Sequence, residues 1–281
     1  MFVNATSVAD YARIRVEPIT GSIGAEVSGM DLRDIDDDTF AELRDAWLAH
    51  KVLFFRDQSF THTEHVAYGR RFGELEVHPF IPAPDGYPEI VVLESTPEKQ
   101  SAAEVWHSDV TWRVEPSLGS ILYGRMIPVY GGDTVWADME LAYGLLDDAT
   151  KELIEGRTAA HSFVKTFGGN KTPDEIAVLR ERYPEAHHPV VRTHPDTGRR
   201  CLYVNLNFTE RIDDMDPVES ATLLQRLTRQ SSIPQIQCRF RWRPGSIAQW
   251  DNRCTQHYAV PDYAGFSRRV ERVTVGGDKP F

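Results

Sequence analysis

Ten histidines and 42 acidic residues in 281 positions should give about 1.5 His-x-Asp/Glu triplets by chance at ordinary composition. The chain holds three: His62-Thr-Glu64, His107-Ser-Asp109 and His194-Pro-Asp196. The first opens a helix, where side chains two apart diverge, and the third is a turn tip. His107 and Asp109 instead lie in an extended, aromatic-flanked stretch from Trp106 to Trp112. There residues i and i+2 project to the same side, so an imidazole and a carboxylate can grip one metal ion together. A second histidine, His257, follows a strand and turn in Trp250-Asp-Asn-Arg-Cys-Thr-Gln-His257. Two imidazoles and one carboxylate on one face of an ion leave three positions open, the ligand set of non-haem Fe(II) oxygenases. The same donors can hold Zn2+ for hydrolysis. Further on, Arg268 and Arg272 are four apart, hence on one face of a strand with Val270 between them. Two guanidinium groups aimed into an interior are costly unless anions pair with them, so they imply bound carboxylate or sulfo groups. An organic diacid accounts for that pair better than zinc does. Arg269 and Glu271, on the opposite face, read as a solvated edge.

Periodicity supplies the elements that must position these residues. Asp37 to His50 places Phe40, Leu43, Trp47 and Leu48 on one face with Asp38 or Thr39 as cap, an amphipathic helix. Lys51 to Phe55 follows as a short buried strand, and Thr61 with Glu64 signals a capping box for a helix to about Phe72. Asp138 to Glu155 reads as one or two helices stopped at Gly156. Asp216-Pro217 opens another, turning Val218, Ala221, Leu224 and Leu227 inward. Strands are expected at Leu118–Tyr123, at Val190–Thr193 and Cys201–Val204 as a hairpin, and at Ser246–Trp250 and Ser267–Val275. Gln237 to Arg243 alternates, with Cys238, Phe240 and Trp242 on one side and three arginines on the other. A strand-rich C-terminal third without a βαβ rhythm argues for an antiparallel sandwich or barrel with helices outside.

Composition narrows the partners. At 41% hydrophobic and 26% charged residues the chain fits a soluble globular protein, read as one domain over residues 1–281. A net charge of −11 disfavours nucleic acid and anionic membrane. From Gln230 to Phe281, however, eight basic residues stand against four acids, so this segment is +4 and the rest −15. Three widely spaced cysteines without a C-x-x-C pair suit a reducing cytoplasm, and neither a secretory leader nor an ~18-residue apolar span is evident.

Taken together, these stretches closely resemble the Fe(II)/2-oxoglutarate-dependent taurine dioxygenase family. The likeness runs through Gly21-Ser-Ile-Gly-Ala-Glu-Val-Ser-Gly29, Phe54-Phe-Arg-Asp-Gln58, Arg71-Phe-Gly-Glu-Leu75, Trp106-His-Ser-Asp-Val-Thr111, Gly131-Gly-Asp-Thr134, His188-Pro-Val-Val-Arg-Thr-His-Pro195, Trp250-Asp-Asn-Arg253, Gln256-His-Tyr258 and Gly277-Asp-Lys-Pro-Phe281. It implies a mainly β fold with helical elaborations, a double-stranded β-helix or jelly roll, and a homo-oligomer, dimer or tetramer. It implies Fe(II), 2-oxoglutarate and O2, with His107, Asp109 and His257 as iron ligands and catalytic residues. Arg268 and Thr134 match the residues that hold the distal carboxylate of 2-oxoglutarate. His78, Arg272 and the backbone N–H of Val110 match those that hold a sulfonate, and Phe208 an aromatic wall of the substrate pocket. The implied reaction hydroxylates the carbon beside a small anionic sulfo group, as in taurine, giving aldehyde, sulfite, succinate and CO2. The pattern departs where the family enzyme meets the taurine amine: a tyrosine and an asparagine are replaced here by Ile81 and Ala103. A site that loses partners for an ammonium group redirects its selectivity, so alkyl sulfates, alkyl sulfonates and aryloxyalkanoates become candidate substrates. A zinc hydrolase and a non-catalytic jelly-roll binding module are the competing readings. The conformation of Ser162–Tyr183 is left open by the sequence.

Overall fold

The structure, a computed structural model, describes residues 11–99 and 105–281. In chain order its elements are β1 (Arg15–Pro18), β2 (Ala25–Ser28), α1 (Asp37–His50), β3 (Val52–Phe55), α2 (His62–Arg70), β4 (Ile90–Ser95), β5 (Gly119–Met126) and β6 (Thr134–Asp138). There follow α3 (Met139–Gly144), α4 (Asp148–Ile154), β7 (Thr158–His161), α5 (Val164–Phe167), α6 (Pro173–Arg182), β8 (Ala186–Pro189), β9 (Val191–Thr193), β10 (Arg200–Leu202) and β11 (Thr209–Ile212). The chain closes with α7 (Pro217–Thr228), β12 (Gln237–Phe240), β13 (Ile247–Asp251), β14 (Thr255–Ala259) and β15 (Arg268–Val275).

Two sheets carry the architecture: a seven-stranded one ordered β1-β2-β3-β13-β5-β15-β4 and a three-stranded one ordered β12-β6-β14. Side chains from both meet in one buried cluster. Val52, Phe54, Leu122, Ala248, Trp250 and Val270 from the large sheet pack on Trp136, Cys238 and Phe240 from the small one. This is the sandwich of a jelly roll. The two-residue period of a strand explains why β3 is apolar throughout: Phe54 points into the sandwich, while Leu53 and Phe55 point outward beneath α1 and α2. Outside the small sheet, α3 and α7 cover Ala137, Leu202 and Val204 through Met139, Leu224 and Leu227.

Most expected elements are present, with local corrections. The cap of α1 is Asp36, whose carboxylate accepts from Thr39 N at 2.8 Å, not Asp38 or Thr39. The Thr61/Glu64 capping box is formed, but α2 ends at Arg70. Lys51 stands outside the strand, in a left-handed conformation that ends α1. Its buried ammonium meets Asp138 at 3.1 Å and Glu140 at 3.3 Å. In α7, Leu224 and Leu227 are buried as expected, but Val218 is 74% exposed and Ala221 is exposed as well. Ser220 and Leu223 take the inward positions. Glu271 is not a solvated edge residue, because β15 is interior to its sheet and α2 crosses the outer face. It is buried and meets Arg125 at 2.6 Å, Arg269 at 3.0 Å and His62 at 3.1 Å. At the β9–β10 turn the His194 ring is buried too, with Nε2 3.0 Å from Asp251 Oδ2.

The segment over Ser162–Tyr183 is ordered as α5 and α6, the latter started by a Thr172/Glu175 capping box and Pro173. Its Phe163, Val164, Phe167, Leu179 and Tyr183 pack with Phe80, Val110, Trp112 and Phe208. Among the described residues no helix is long and apolar enough to cross a membrane. The three cysteines are buried and free.

Candidate active site

Two backbone hydrogen bonds bring the first two candidate ligands together. His107 N donates to His257 O at 3.1 Å and His257 N to His107 O at 2.8 Å, so the His107 segment adds itself to the edge of β14. The two rings then lie side by side, centroids 4.2 Å apart. Two residues on, Asp109 aims its Oδ1 at both of them, 3.8 Å from His107 Nε2 and 3.9 Å from His257 Nε2. One donor atom from each residue fits within a 4.8 Å cluster. His107 Nδ1 donates to the Val105 carbonyl at 2.7 Å, which leaves the Nε2 lone pair for a metal. Burial pushes the pKa of both histidines below the ordinary range, the neutral state a ligand needs. Burial by itself would raise Asp109, but the Arg272 guanidinium foremost holds it well below the carboxylate range. The donor set thus fits a divalent transition metal such as iron.

Sequence reasoning missed the side chains that orient Asp109. Ser120 Oγ donates to Asp109 Oδ2 at 2.7 Å, and Asn252 Nδ2 donates to Ser120 Oγ at 3.0 Å. Asn252 belongs to the Trp250–Arg253 stretch singled out by resemblance. Ser120 carries no such signal, since a hydroxyl in an apolar strand does not advertise its partner.

Thr134, Arg268 and Arg272 share a small cavity with Leu93, Leu122, Trp250, His257, Tyr263 and Val270. Arg268 is buried with its guanidinium between the Trp242 and Tyr263 rings, 5.9 Å from each centroid. Among the described residues it has no carboxylate partner, and its Nε has no hydrogen bond. Trp242 Nε1 donates to Thr134 Oγ1 at 3.0 Å, so the threonine hydroxyl keeps its proton to donate. Gly131 and Gly132 precede Thr134 at positive φ, and a Cβ on Gly132 would stand 3.1 Å from Arg268 Cδ. That accounts for glycine in this turn.

A second cavity, of about 180 Å3, adjoins the first through Leu93, His257 and Arg272. His78, Ile81, Val110, Phe167, Asn207 and Phe208 line it together with His107 and Asp109. Nδ1 of His78 accepts the N–H groups of Phe80 and Ile81, both at 3.2 Å, so the ring proton sits on Nε2. Burial first, then Arg272 and Arg113, pull His78 down to about 4, leaving it a neutral N–H donor. Val110 holds φ at 47°, a strained conformation for a β-branched residue that turns the backbone behind Asp109. The Phe208 ring stands edge-on to His107 at 6.2 Å. Arg272, expected to meet an anion, does so within the chain: its Nη1 donates to Asp109 Oδ1. Ala103 lies outside the described residues.

The sequence model of the family described as "Taurine catabolism dioxygenase TauD, TfdA family" matches residues 15–274. An alkylsulfatase of Acinetobacter baylyi is 38% identical over 275 residues, which cover 95% of this chain and 86% of the relative. An alpha-ketoglutarate-dependent sulfate ester dioxygenase of Pseudomonas putida is 36% identical over 289 residues, covering 98% and 94%. The crystal structure of a taurine dioxygenase from Burkholderia xenovorans aligns with a TM-score of 0.82 at 37% identity, covering 95% of this chain and 91% of its own. A match of this extent, on a shared jelly roll that brings a His-Asp-His cluster together, means that the chain is a dioxygenase belonging to the taurine catabolism dioxygenase TauD, TfdA family.

Proposed function

We propose that the chain is an Fe(II)- and 2-oxoglutarate-dependent dioxygenase that hydroxylates the carbon bearing an anionic sulfo group on an apolar tail, with alkyl sulfate esters as the preferred class and alkyl sulfonates next. The observation that carries this is the mixed lining of the 180 Å3 cavity, two anion-binding side chains among mostly apolar neighbours. His78 Nε2–H and the Arg272 guanidinium are its anion partners, Thr166 and Asn207 add polar lining, and Ile81, Leu93, Val110, Phe167 and Phe208 supply a hydrocarbon wall. Anion recognition is kept, whereas the tail meets hydrocarbon where a taurine site needs ammonium partners. The similarity to an alkylsulfatase and a sulfate ester dioxygenase supports the same substrate class.

In this reading His107, Asp109 and His257 hold the iron. Iron so held supplies the activation of O2, one oxygen atom ending in succinate as 2-oxoglutarate loses CO2 and the other in the substrate hydroxyl. The residues of the chain do the positioning. Arg268 and Thr134 hold the distal carboxylate of 2-oxoglutarate, a guanidinium and a hydroxyl donor converging on one planar anion. His78, Arg272 and Val110 N–H fix the sulfo oxygens so that the adjoining carbon faces the metal side of the pocket. Phe167 and Phe208 close the wall and exclude water. The hydroxylated sulfate ester then breaks its C–O bond to sulfate, leaving the aldehyde; a sulfonate leaves sulfite instead. A zinc hydrolase would have no use for Arg268 beside Thr134. The enzyme is read as a single catalytic domain acting in the cytoplasm as a dimer or tetramer, which light scattering will decide.

Succinate release with hexyl sulfate, hexyl sulfonate, a phenoxyalkanoate and taurine tests the proposal. Hexyl sulfate is expected to exceed taurine in kcat/KM by at least about tenfold, the effect of matching an apolar wall with a few methylenes. Faster turnover of taurine or of the phenoxyalkanoate would overturn the substrate assignment.

A further inference from the structure

The two oxygens of Asp109 have different surroundings. Oδ1 faces the Nε2 atoms of His107 and His257 and accepts from Arg272 Nη1, whereas Oδ2 accepts the Ser120 hydroxyl at 2.7 Å. That hydroxyl has one proton, and its direction is imposed: Ser120 Oγ already accepts from Asn252 Nδ2 at 3.0 Å, so its own proton goes to Asp109. The Asn252 amide is fixed in turn. Its Oδ1 accepts the Trp250 indole N–H at 2.8 Å and Asp109 N–H at 3.3 Å, which leaves Nδ2 for Ser117 Oγ at 3.1 Å and Ser120. Register makes this possible, since Ser120 and Trp250 are direct partners across β5 and β13. Every member is buried: Ser117 and Ser120 are 0% exposed, Asn252 and Trp250 1%.

We propose that the Asn252–Ser120 chain restricts Asp109 to a one-oxygen metal ligand, by holding Oδ2 in a hydrogen bond turned from the two imidazoles while Oδ1, which also accepts from Arg272, faces them and the ion. This rests on the iron and 2-oxoglutarate reading above. A carboxylate binds a cation through one oxygen or both. Two histidines and one oxygen leave three of six positions open. A bidentate Asp109 would leave two, too few for a chelating 2-oxo acid and O2 together. Ser120 and Asn252 are therefore positioning residues that keep a coordination position free.

Ser120→Ala, with Ser120→Thr as the control that keeps a hydroxyl for the Oδ2 contact, tests this in the full-length Mn(II)-loaded protein. Two readouts are used: water proton relaxation, which counts exchangeable waters on Mn(II), and titration of the loaded protein with 2-oxoglutarate. In Ser120→Ala the relaxation enhancement is expected to fall by about one third, as one of three open positions closes. Mn(II) is expected to bind at least as tightly as in the wild type. 2-Oxoglutarate is expected to bind about tenfold more weakly, with Ser120→Thr restoring both readouts, on the scale that partners of metal ligands exert. Should Ser120→Ala fail to fold, Asn252→Ala reaches the same hydroxyl from the other side with the same expected readouts. An unchanged hydration number, or a ten- to hundredfold loss of Mn(II) affinity as a merely orienting partner would give, overturns the proposal. The relaxation readout needs no 2-oxoglutarate. A wild-type protein that binds Mn(II) but not 2-oxoglutarate therefore overturns the functional reading, while the hydration number still decides the denticity of Asp109.

Discussion

Thr134 shows how far one atom can be followed. Its Oγ accepts from Trp242 Nε1 at 3.0 Å, so the donor role of the hydroxyl is settled before any ligand arrives. A carboxylate lying against Arg268 then receives a charge-assisted hydrogen bond worth about 1.5–3 kcal/mol. Thr134→Val keeps the shape and removes that bond, so KM for 2-oxoglutarate should rise roughly ten- to hundredfold while metal affinity is unchanged. Initial rates of succinate release against 2-oxoglutarate concentration will show it, and an unchanged KM would place the distal carboxylate elsewhere. At this scale the sequence was most legible where chemistry is tied to residue type. His107, Asp109, His257, Thr134, Arg268, Arg272, His78, Val110 and Phe208 do converge on two adjoining cavities or their linings. Ser120 was illegible because its role depends on which strand it faces, a fact of register. The Arg272–Asp109 contact was illegible for a related reason: a strand period tells which face a guanidinium is on, not which carboxylate meets it there.

Among the elements, the entry of the chain into β2, beside β3 in the large sheet, depends on Gly24. Its φ is +84°, and a Cβ there would stand 2.8 Å from Cys238 Sγ and 3.2 Å from a ring carbon of Phe54. The Phe54 ring is itself stacked on Phe240 at 4.2 Å, so the neighbours have little room to yield. Gly24→Ala should cost about 1–3 kcal/mol through overpacking and the disfavoured φ. Gly21→Ala, with nothing within 4 Å of the new methyl, should stay within about 0.5 kcal/mol, as surface substitutions do. Urea midpoints of the two variants will separate them, and equal midpoints would refute the packing argument. Elements with strong local signals were read well: both helices after Asp138 and the Thr61 capping box match the structure, and the alternation from Gln237 to Arg243 holds in burial although β12 itself stops at Phe240. The misreadings share a cause, which is that burial belongs to neighbours. Val218 looked inward by period but lies on the first turn of α7 beyond the reach of the core. Glu271 looked solvated by type but lies beneath α2 among Arg125, Arg269 and His62.

For the molecule as a whole, the charge count gains meaning from where charges sit: Arg268 and Arg272 of the +4 C-terminal segment are buried in the sandwich, so the −11 net charge describes chiefly the outside. Buried neutral histidines are the complementary feature, and they set the response to acid. Burial pulls His65 and His188 down to about 4 and His161 well below its ordinary value. Their nitrogens are committed to Ile121 O at 3.1 Å, to Thr111 O at 2.9 Å and to Thr111 Oγ1 at 3.0 Å. With a folded pKa below the unfolded one, each contributes stability that is complete above about pH 6.5 and drains away toward pH 4, by about 1.4 kcal/mol per pH unit. Glu76 acts in the opposite sense. Burial raises it to about 7 against the pull of Arg113 and Arg272, so its contribution is present at low pH, is lost as pH rises from about 4.5 to 7, and offsets about one histidine. Between pH 6.5 and 5 these three histidines less Glu76 account for roughly 3 kcal/mol of destabilisation per pH unit, and His78, His107 and His257, held low as well, steepen the loss in the metal-free protein. The metal-free protein should therefore show a urea midpoint that falls steeply over that range, and His65→Gln should flatten the slope by about 1.4 kcal/mol per unit while lowering stability at pH 7.5. A midpoint that holds level from pH 7 to 5 would mean that these rings take up protons without unfolding. The buried polar interior behind the site would then be wetter than its packing indicates.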